Sequence, residues 1–296
     1  MADAGAAFAE GTPCWTDAML PDLEAGKRFY GELFGWTYGD PAPPERGSYT
    51  VARLDGRRVA ALSHKPDGRL PTVWTIYFAT PDAEATAERI RAAGGQLVTE
   101  PAPVGRAGVM ATAVDPGGAA FGLWQRGALT GFEVTRRPGS YVWTEVCTRE
   151  KAAVDVFYAR VFGFGMYAAG GGGAGAAPEV PEEAEESARE GAGEGTGESA
   201  GEDASDIAVW VPAGAPLDDE HAIGGRTMID ETYPVEMPAH FLVHFAVADC
   251  DAAVRTTTRL GGRAVEGPQD TPFGRYAVLL DNQGARFGVL DTSTVS

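Results

Sequence analysis

Apolar stretches of about five to eight residues recur along the chain, and amphipathic stretches with helical spacing separate several of them. In the first half, this pattern predicts strands over residues 13–20, 48–54, 58–63, 72–79, 96–99, 109–114 and 119–125. It predicts helices over residues 22–33 and 82–93. Pro21 and Pro81 stand at the two helix entrances, where a missing backbone N–H costs little.

The second half of the chain follows the same order of elements. Strands are predicted over residues 142–148, 207–211, 222–229, 241–248, 276–281 and 285–290. Helices are predicted over residues 151–161 and 250–260, although the second contains three consecutive threonines, which are poor helix formers.

The two halves are copies of one another. Trp15-Thr16-Asp17 recurs as Trp143-Thr144-Glu145, an offset of 128 residues, and the motif that begins at Asp115 recurs at Asp281, an offset of 166. The second copy is therefore about 39 residues longer between these motifs. A duplicated module predicts a pseudo-twofold molecule with two related clefts.

A shorter repeat lies within the first copy. Pro21-Asp22-Leu23-Glu24-Ala25 and Pro81-Asp82-Ala83-Glu84-Ala85 are 60 residues apart, and each follows a predicted strand and opens a predicted helix. The repeating unit is thus a strand, a helix and further strands, used about four times. This arrangement predicts an α+β fold.

The length of 296 residues suits two domains of ordinary size. We expect a flexible tail over residues 1–11, a first module over 12–126, a linker over 127–139 and a second module over 140–292. Each module is long enough to bury a core of its own.

Residues 168–206 account for the extra length of the second copy. From Glu179 to Asp206 there are eleven acidic residues and one basic residue, which supply ten of the eighteen net negative charges of the chain. Glycine, alanine and glutamate dominate, so the segment cannot bury enough apolar surface to offset the entropy of ordering. We predict a disordered, solvated insertion; an acidic tract that binds a partner is the alternative.

Composition restricts the partners. The negative charge argues against nucleic acid, and no apolar run is long enough to span a bilayer, so we expect a cytoplasmic protein without a membrane partner. Cys14, Cys147 and Cys250 are too scattered for a disulfide framework or a metal knuckle, and buried thiols are expected. The chain is expected to be a monomer with internal pseudo-twofold symmetry or a homodimer.

Motifs around the strand–helix junctions resemble those of a known superfamily. Leu20-Pro21-Asp22 is followed by Phe29-Tyr30 and Phe34-Gly35-Trp36, and Asp115-Pro116-Gly117-Gly118 precedes a last strand with Phe121-Gly122. The pattern is similar to the vicinal oxygen chelate superfamily, which includes glyoxalase I, bleomycin-resistance proteins and extradiol dioxygenases. The tandem arrangement resembles proteins labelled hydroxylase or glyoxalase-like.

The resemblance covers nearly the whole chain outside the tail and the insertion. It implies two tandem modules, each a pair of βαβββ units that form a curved, eight-stranded half-barrel around a cleft. It also implies that metal-using members hold one divalent ion with side chains on the first, fifth and last strands of a module.

The positions that match these metal ligands are Trp15, Thr75 and Gly122 in the first module, and Trp143, Leu242 and Gly288 in the second. None of these residues offers a carboxylate or imidazole, and a divalent ion needs three or more such donors. We therefore predict no metal and no other cofactor.

Side chains two residues further along each strand from these positions face the same cleft. That level holds Asp17 and Tyr77 in the first module, and Glu145 and His244 in the second. Glu145 and His244 are the candidate catalytic pair, a general base and its orienting imidazole. They could instead be two ligands of a displaced metal site, or a buried pair that satisfies its own hydrogen bonds.

Aromatic side chains suggest the nature of a ligand. Trp15, Tyr77, Trp124 and Trp143 are expected to face the clefts or their rims and, with Asp17, to bind a small organic molecule in a flat apolar slot. Core packing is the alternative for each tryptophan. His64, His221 and His240 fall in loops or at strand ends, where we expect solvated side chains.

Three functions remain open on the sequence. The first is a protein that binds a hydrophobic or aromatic small molecule without a metal, either to sequester it or to support a biosynthetic step. The second is a glyoxalase- or hydroxylase-type enzyme in which Glu145 and His244 transfer protons. The third is an interaction scaffold that acts through the acidic segment.

Overall fold

The computed structural model describes residues 8–69, 71–169 and 206–294. The first half contains eight strands and two helices. Their bounds are β1 (Pro13–Leu20), α1 (Leu23–Phe34), β2 (Thr37–Tyr38), β3 (Thr50–Leu54), β4 (Arg57–His64), β5 (Trp74–Ala79), α2 (Ala83–Ala92), β6 (Gln96–Pro103), β7 (Gly108–Val114) and β8 (Ala120–Arg126).

The second half repeats this order element for element. Its bounds are β9 (Tyr141–Thr148), α3 (Lys151–Phe162), β10 (Gly165–Ala168), β11 (Ile207–Val211), β12 (Gly224–Met228), β13 (His240–Ala246), α4 (Cys250–Arg259), β14 (Arg263–Thr271), β15 (Gly274–Leu280) and β16 (Arg286–Asp291). The chain is therefore four successive βαβββ units, and the predicted α+β class is confirmed.

Each half forms one eight-stranded mixed sheet. The strand order is β2-β3-β4-β1-β5-β8-β7-β6 in the first sheet and β10-β11-β12-β9-β13-β16-β15-β14 in the second. In each sheet the first strands of two units pair antiparallel at the centre, as β1 with β5 and β9 with β13. The last strand of each unit runs parallel to its first, as in the pairing of β5 with β8. The pair of half-barrels predicted from the sequence is confirmed.

Three strands escaped the sequence pattern. β2 has only two residues, and β10 is a strand of four residues directly beside the acidic segment. β14 is nine residues long, but its side chains alternate between exposed and half-buried and it contains Gly267-Pro268. Edge strands such as β6 and β14 bury little apolar surface, so they lack the apolar run by which inner strands are recognised.

Local signals set the helix ends as expected. The Asp22 side chain accepts a hydrogen bond from the Ala25 backbone N–H, and Asp82 and Asp249 cap their helices in the same way. Gly35 and Gly163 end α1 and α3 with φ values of 73° in both cases, a left-handed conformation that suits glycine.

The two modules share one hydrophobic core, which corrects the expectation that each buries its own. A single cluster of buried side chains contains residues of both sheets and of all four helices. Helix α1 of the first module packs its aromatic face on the second sheet, with the Phe34 ring 5.0 Å from that of Phe245. Helix α3 packs in the same way on the first sheet, with Phe162 5.3 Å from Phe78.

Two buried hydrogen bonds also connect the first helix of each module to the other module. The Tyr30 hydroxyl on α1 donates to Asp281 at 2.8 Å, and the Tyr158 hydroxyl on α3 donates to Asp115 at 3.1 Å. Both carboxylates also accept backbone N–H groups of their own turns, Ala285 and Ala119. The Asp turn of each module is thereby tied to the first helix of the other.

The segments outside the sheets are less independent than the sequence suggested. Within the expected tail, Glu10 contacts Arg89 and the Gly11 N–H donates to the Ala79 carbonyl. Within the expected linker, Phe132 stacks on Tyr141 with ring centroids 4.9 Å apart. Residues 1–7 and most of the predicted insertion, 170–205, lie outside the described residues.

Among the described residues, no helix is long and apolar enough to cross a membrane.

We expect Tyr30→Phe and Tyr158→Phe each to lower the free energy of unfolding by about 1–2 kcal/mol, because each removes a donor to a buried carboxyl group. Urea denaturation measures the change. Tyr38→Phe is the matched control, since the Tyr38 hydroxyl is buried with no hydrogen-bond partner among the described residues. A loss in Tyr38→Phe as large as in the other two variants would contradict the prediction.

Candidate functional site

The central strands of the second sheet bring the candidate pair together. Glu145 on β9 lies opposite Leu242 on β13, and His244 lies opposite Trp143 on β9 and Gly288 on β16. Because side chains two residues apart share a face, Glu145 and His244 are diagonal neighbours on one side of the sheet. His244 Nε2 is 3.5 Å from Glu145 Oε1.

Burial and neighbouring groups determine the protonation of His244 and the orientation of Glu145. The His244 side chain is 5% exposed, and burial lowers the pKa of its imidazole, although the Glu145 carboxylate opposes the shift. His244 is therefore neutral at pH 7. Its Nδ1 is buried and has no hydrogen-bond partner among the described residues. The other Glu145 oxygen, Oε2, accepts a hydrogen bond from the Thr227 hydroxyl.

A glycine makes room for the imidazole. A Cβ atom at Gly288 would lie 2.0 Å from His244 Cδ2, so the ring rests directly against the backbone of β16. The same arrangement occurs in the first module, where a Cβ at Gly122 would lie 2.1 Å from Tyr77 Cδ1. Both glycines are positions at which the superfamily resemblance implies a metal ligand.

The second cleft contains a cavity of about 50 Å³. Its lining is Glu145, Cys147, Thr227, Met228, Ile229, Tyr233, Met237, His240, Leu242, Glu266, Tyr276 and Arg286. Glu145 thus faces the cavity, whereas His244 is buried behind it.

Glu266 organises the wall across from Glu145. Its carboxylate accepts hydrogen bonds from the Tyr276 hydroxyl at 2.6 Å, the Tyr233 hydroxyl at 3.1 Å and Arg286 Nη2 at 2.9 Å. Burial, with Glu266 nearby, raises the pKa of Tyr233 to about 12, so this hydroxyl keeps its proton. The wall holds one carboxylate and one guanidinium whose charges compensate each other.

The loop of residues 229–239 covers part of the cavity. Arg149, at the end of β9, donates to the backbone carbonyls of Ile229, Asp230 and Pro234. Tyr233 and Met237 of this loop line the cavity. One surface arginine thereby fixes the loop over the cleft.

His240 corrects one expectation from the sequence. We expected a solvated imidazole, but His240 lines the cavity at the start of β13, and its Nδ1 lies 2.9 Å from the Pro238 carbonyl oxygen. Burial lowers its pKa. His64 is exposed, and His221 is paired with Asp218 at the surface.

In the first module, the matching residues form a closed polar network. The Tyr49 and Tyr77 hydroxyls donate to the two oxygens of Asp17 at 3.0 and 3.3 Å, and the Trp15 indole donates to the Tyr49 oxygen at 2.7 Å. Asp17 is only 8% exposed. Burial raises its pKa to about 7, and the two tyrosine hydrogen bonds oppose the shift.

The expected aromatic residues do not line the described cavity. Trp15, Tyr77 and Trp124 are buried, and the Trp124 indole donates to the Leu129 carbonyl. Trp143 is half-buried against a small apolar cluster that includes Tyr167 and Val209.

The donor set does not fit a divalent metal. Gly122 is level with Trp15 and Tyr77, and Gly288 with Trp143 and His244, so His244 is the single imidazole or carboxylate at these levels. In the described part of the chain, no three His, Cys, Asp or Glu side chains lie close enough together to hold a metal ion.

Glu266, Tyr276 and Arg286 line the cavity but were not predicted from the sequence as site residues. Glu266 lies on β14, which the apolar pattern did not predict. A signal for the other two was present: in the aligned copies, Tyr276 replaces Met110 and Arg286 replaces Ala120. Polar residues that appear at a strand position in one copy only are therefore candidates for site residues.

Comparisons with known proteins agree on the family. A family model described as Glyoxalase/Bleomycin resistance protein/Dioxygenase superfamily matches residues 15–123. The anthracycline biosynthesis protein DnrV of Streptomyces peucetius is 35% identical over 298 aligned positions, which cover 96% of this chain and 94% of DnrV.

Solved structures share the fold. The 2,3-dioxygenase LapB from Pseudomonas sp. KL28 superimposes with a TM-score of 0.60 at 13% identity, over 97% of this chain and 93% of LapB. The Mn(II)-bound glyoxalase from Novosphingobium aromaticivorans gives a TM-score of 0.57 at 13% identity, over 97% of this chain and 86% of that protein.

We expect Gly288→Ala to lower the free energy of unfolding by about 1–3 kcal/mol, because the new methyl group overlaps the His244 ring. Urea denaturation of Gly288→Ala and of Gly39→Ala tests this, since a Cβ at Gly39 meets no atom within 4 Å. The cost should fall in a His244→Ala background. An equal cost in both backgrounds would show that the ring is not the obstacle.

Asp17 should make stability depend on pH. Its folded-state pKa of about 7 lies above the ordinary value of 3.8, so its contribution to stability is complete below pH 4 and is lost as pH rises through 7. We therefore expect the stability of Asp17→Asn relative to the wild type to rise between pH 5 and pH 8 by about 3 kcal/mol, because each of the two pH units below the folded-state pKa contributes about 1.4 kcal/mol. Urea midpoints at both pH values measure the difference, and a constant difference would contradict it.

Proposed function

The chain belongs to the glyoxalase/bleomycin resistance protein/dioxygenase superfamily, and on this premise we propose that its second module binds a small organic molecule and transfers a proton through Glu145. The observation that carries the proposal is the Glu145–His244 pair, which lies 3.5 Å apart at the edge of a polar cavity. Glu145 lines the cavity, and within residues 8–69, 71–169 and 206–294 no lysine or arginine forms an ion pair with its carboxylate.

The geometry of Glu145 suits a general base. One oxygen is held by the Thr227 hydroxyl and the other faces the neutral His244 imidazole, so the carboxylate is oriented without a cationic partner. A carboxylate that lines a cavity can accept a proton from a bound molecule. The 3.5 Å separation from Nε2 is typical of catalytic hydrogen bonds that tighten once a ligand binds.

The proposed step uses no metal ion, since in the part of the chain that the structure describes no three His, Cys, Asp or Glu side chains lie close enough together to hold one. Proton transfer from an acidic C–H or O–H bond needs only the base and a hydrogen-bond donor that stabilises the resulting charge. Arg286 supplies such a donor, since its Nη2 donates to Glu266 while its Nε has no partner among the described residues. The single hydroxyl protons of Tyr233 and Tyr276 are already donated to Glu266.

The volume of the cavity and the similarity to DnrV indicate the chemical class of the ligand. A cavity of about 50 Å³ accommodates one functional group of a ligand, whereas sites for a whole drug-sized molecule measure about 300–1,000 Å³. The remainder of the ligand must extend past the loop of residues 229–239. DnrV is named for anthracycline biosynthesis, and anthracyclines are polycyclic aromatic ketones. We propose a planar aromatic ketone of this kind, with its reactive end in the cavity.

Sequestration without reaction is the second candidate. The observation that favours it is the closed network of the first module, in which the residues at the same positions are buried and hydrogen-bonded to one another. If the second cleft also only holds its ligand, Glu145 contributes a hydrogen bond and accepts no proton.

The two candidates differ in solvent exchange. With 1-tetralone as the probe, a small aromatic ketone, we expect the wild type to accelerate deuterium incorporation from D₂O at the carbon next to the carbonyl. Glu145→Gln should retain binding but lower the exchange rate by at least about 100-fold, because a glutamine accepts no proton. Proton NMR measures exchange, and saturation-transfer NMR measures binding.

Asp17→Asn is the matched control, since it changes the equivalent carboxyl group of the first module. If Asp17→Asn rather than Glu145→Gln abolished exchange, the first cleft would be the reactive one. Binding of tetralone to the wild type without accelerated exchange would favour sequestration.

A further inference from the structure

Arg286 is the least satisfied charged group of the second cleft. Its side chain is only 19% exposed and is anchored at one end, where Nη2 donates to Glu266. Nη1 reaches the Met237 sulfur at 3.8 Å, a weak acceptor, and the buried Nε has no partner among the described residues. A guanidinium removed from water with unused donors is costly unless something else accepts them.

The position of Arg286 points to what that acceptor is. The side chain lines the cavity, and Met237 belongs to the loop of residues 229–239 that a ligand must pass. An oxygen atom of the ligand would take the place of the thioether at Nη1 and would form a charge-assisted hydrogen bond, which is stronger than a neutral one.

We infer that Arg286 binds the carbonyl oxygen of the ligand, and that the substrates of this cleft are therefore enolisable ketones with an acidic C–H bond beside that carbonyl. This inference deepens the proposed function and rests on it. Arg286 is assigned as the residue that selects an oxygen-bearing ligand, and Glu145 as the base that acts on it.

The charges of the cleft suit this step. Glu145 takes the proton as the C–H bond breaks, the electron pair forms a C=C bond, and the carbonyl oxygen becomes an enolate beside Arg286. Glu266 compensates Arg286 before and after the step. One negative charge thus moves from Glu145 to the ligand oxygen, and no charge is created in the buried site. The proton on Glu145 exchanges with solvent, and return of a solvent-derived proton from Glu145 to the carbon completes the exchange without an oxidant or reductant.

The first module supports the assignment by contrast. Ala120 occupies the position that corresponds to Arg286, and Met110 the position that corresponds to Tyr276. In that cleft, the carboxyl group of Asp17 faces two tyrosine hydroxyls and has no guanidinium at the matching position. The oxygen-binding group and the available base therefore occur together, in the same copy.

The experiment compares 1-tetralone with tetralin, the hydrocarbon that lacks the carbonyl oxygen. In the full-length wild type, we expect tetralone to bind at least about ten-fold more tightly, as one charge-assisted hydrogen bond predicts. Arg286→Met should remove this preference and lower the deuterium exchange rate by about 100-fold, the usual effect of losing one donor to a developing oxyanion. Arg286→Lys should recover only part of the preference, because its ammonium lacks the planar fork.

Since Arg286→Met leaves the Glu266 charge unpaired, the double variant Arg286→Met with Glu266→Gln serves as the second test. It removes both charges and should also lose the preference while remaining folded. A wild-type preference for tetralone in both variants, or no preference in the wild type, would overturn the inference.

The same experiments distinguish failure of the Arg286 assignment from failure of the proposed proton transfer. A preference that depends on Arg286, in a wild type that exchanges no deuterium, would retain the oxygen-binding role and reject proton transfer. Exchange that depends on Glu145 but is unaffected by Arg286→Met would reject this role and retain the proposed function.

Discussion

The exchange of aromatic helices between the two modules is the interaction on which the rest of the structure depends. Helices α1 and α3 each cover the sheet of the other module, with Phe34 against Phe245 and Phe162 against Phe78. The helices and the sheet faces that they cover form a common hydrophobic core. The opposite, concave faces are left to form the clefts, and neither module would bury its apolar face if the other were removed.

The concave faces then diverge from a common plan. At matching positions, Asp17 and Tyr77 of one copy correspond to Glu145 and His244 of the other. In the first copy Tyr49 fills the space above the carboxyl group and closes the network. In the second, the carboxylate is held by Thr227 and faces a cavity. The two copies thus hold carboxyl groups at matching positions, one enclosed by tyrosines and the other beside a cavity.

Most of the fold could be predicted from periodicity and repetition, because inner strands are apolar, three of the four helices begin after an aspartate cap and two end at a glycine. The edge strand β14 was missed, since half of its side chains face solvent, and with it Glu266. Glu145 and His244 were found because matching strand positions identify neighbours. Arg286 could have been found by comparing the copies, but Tyr233 could not, because it lies on a loop whose path depends on the carbonyl contacts of Arg149.

The glycines beneath the rings have a consequence for how this family can change. A carboxylate at position 288 would have to share its volume with the His244 ring, and one at position 122 with the Tyr77 ring. A carboxylate at either position therefore requires at least two substitutions in the same cleft, a smaller ring and the new side chain. A variant with only one of the two substitutions is either overpacked or hollow, so selection for stability opposes the stepwise introduction of a ligand at these positions.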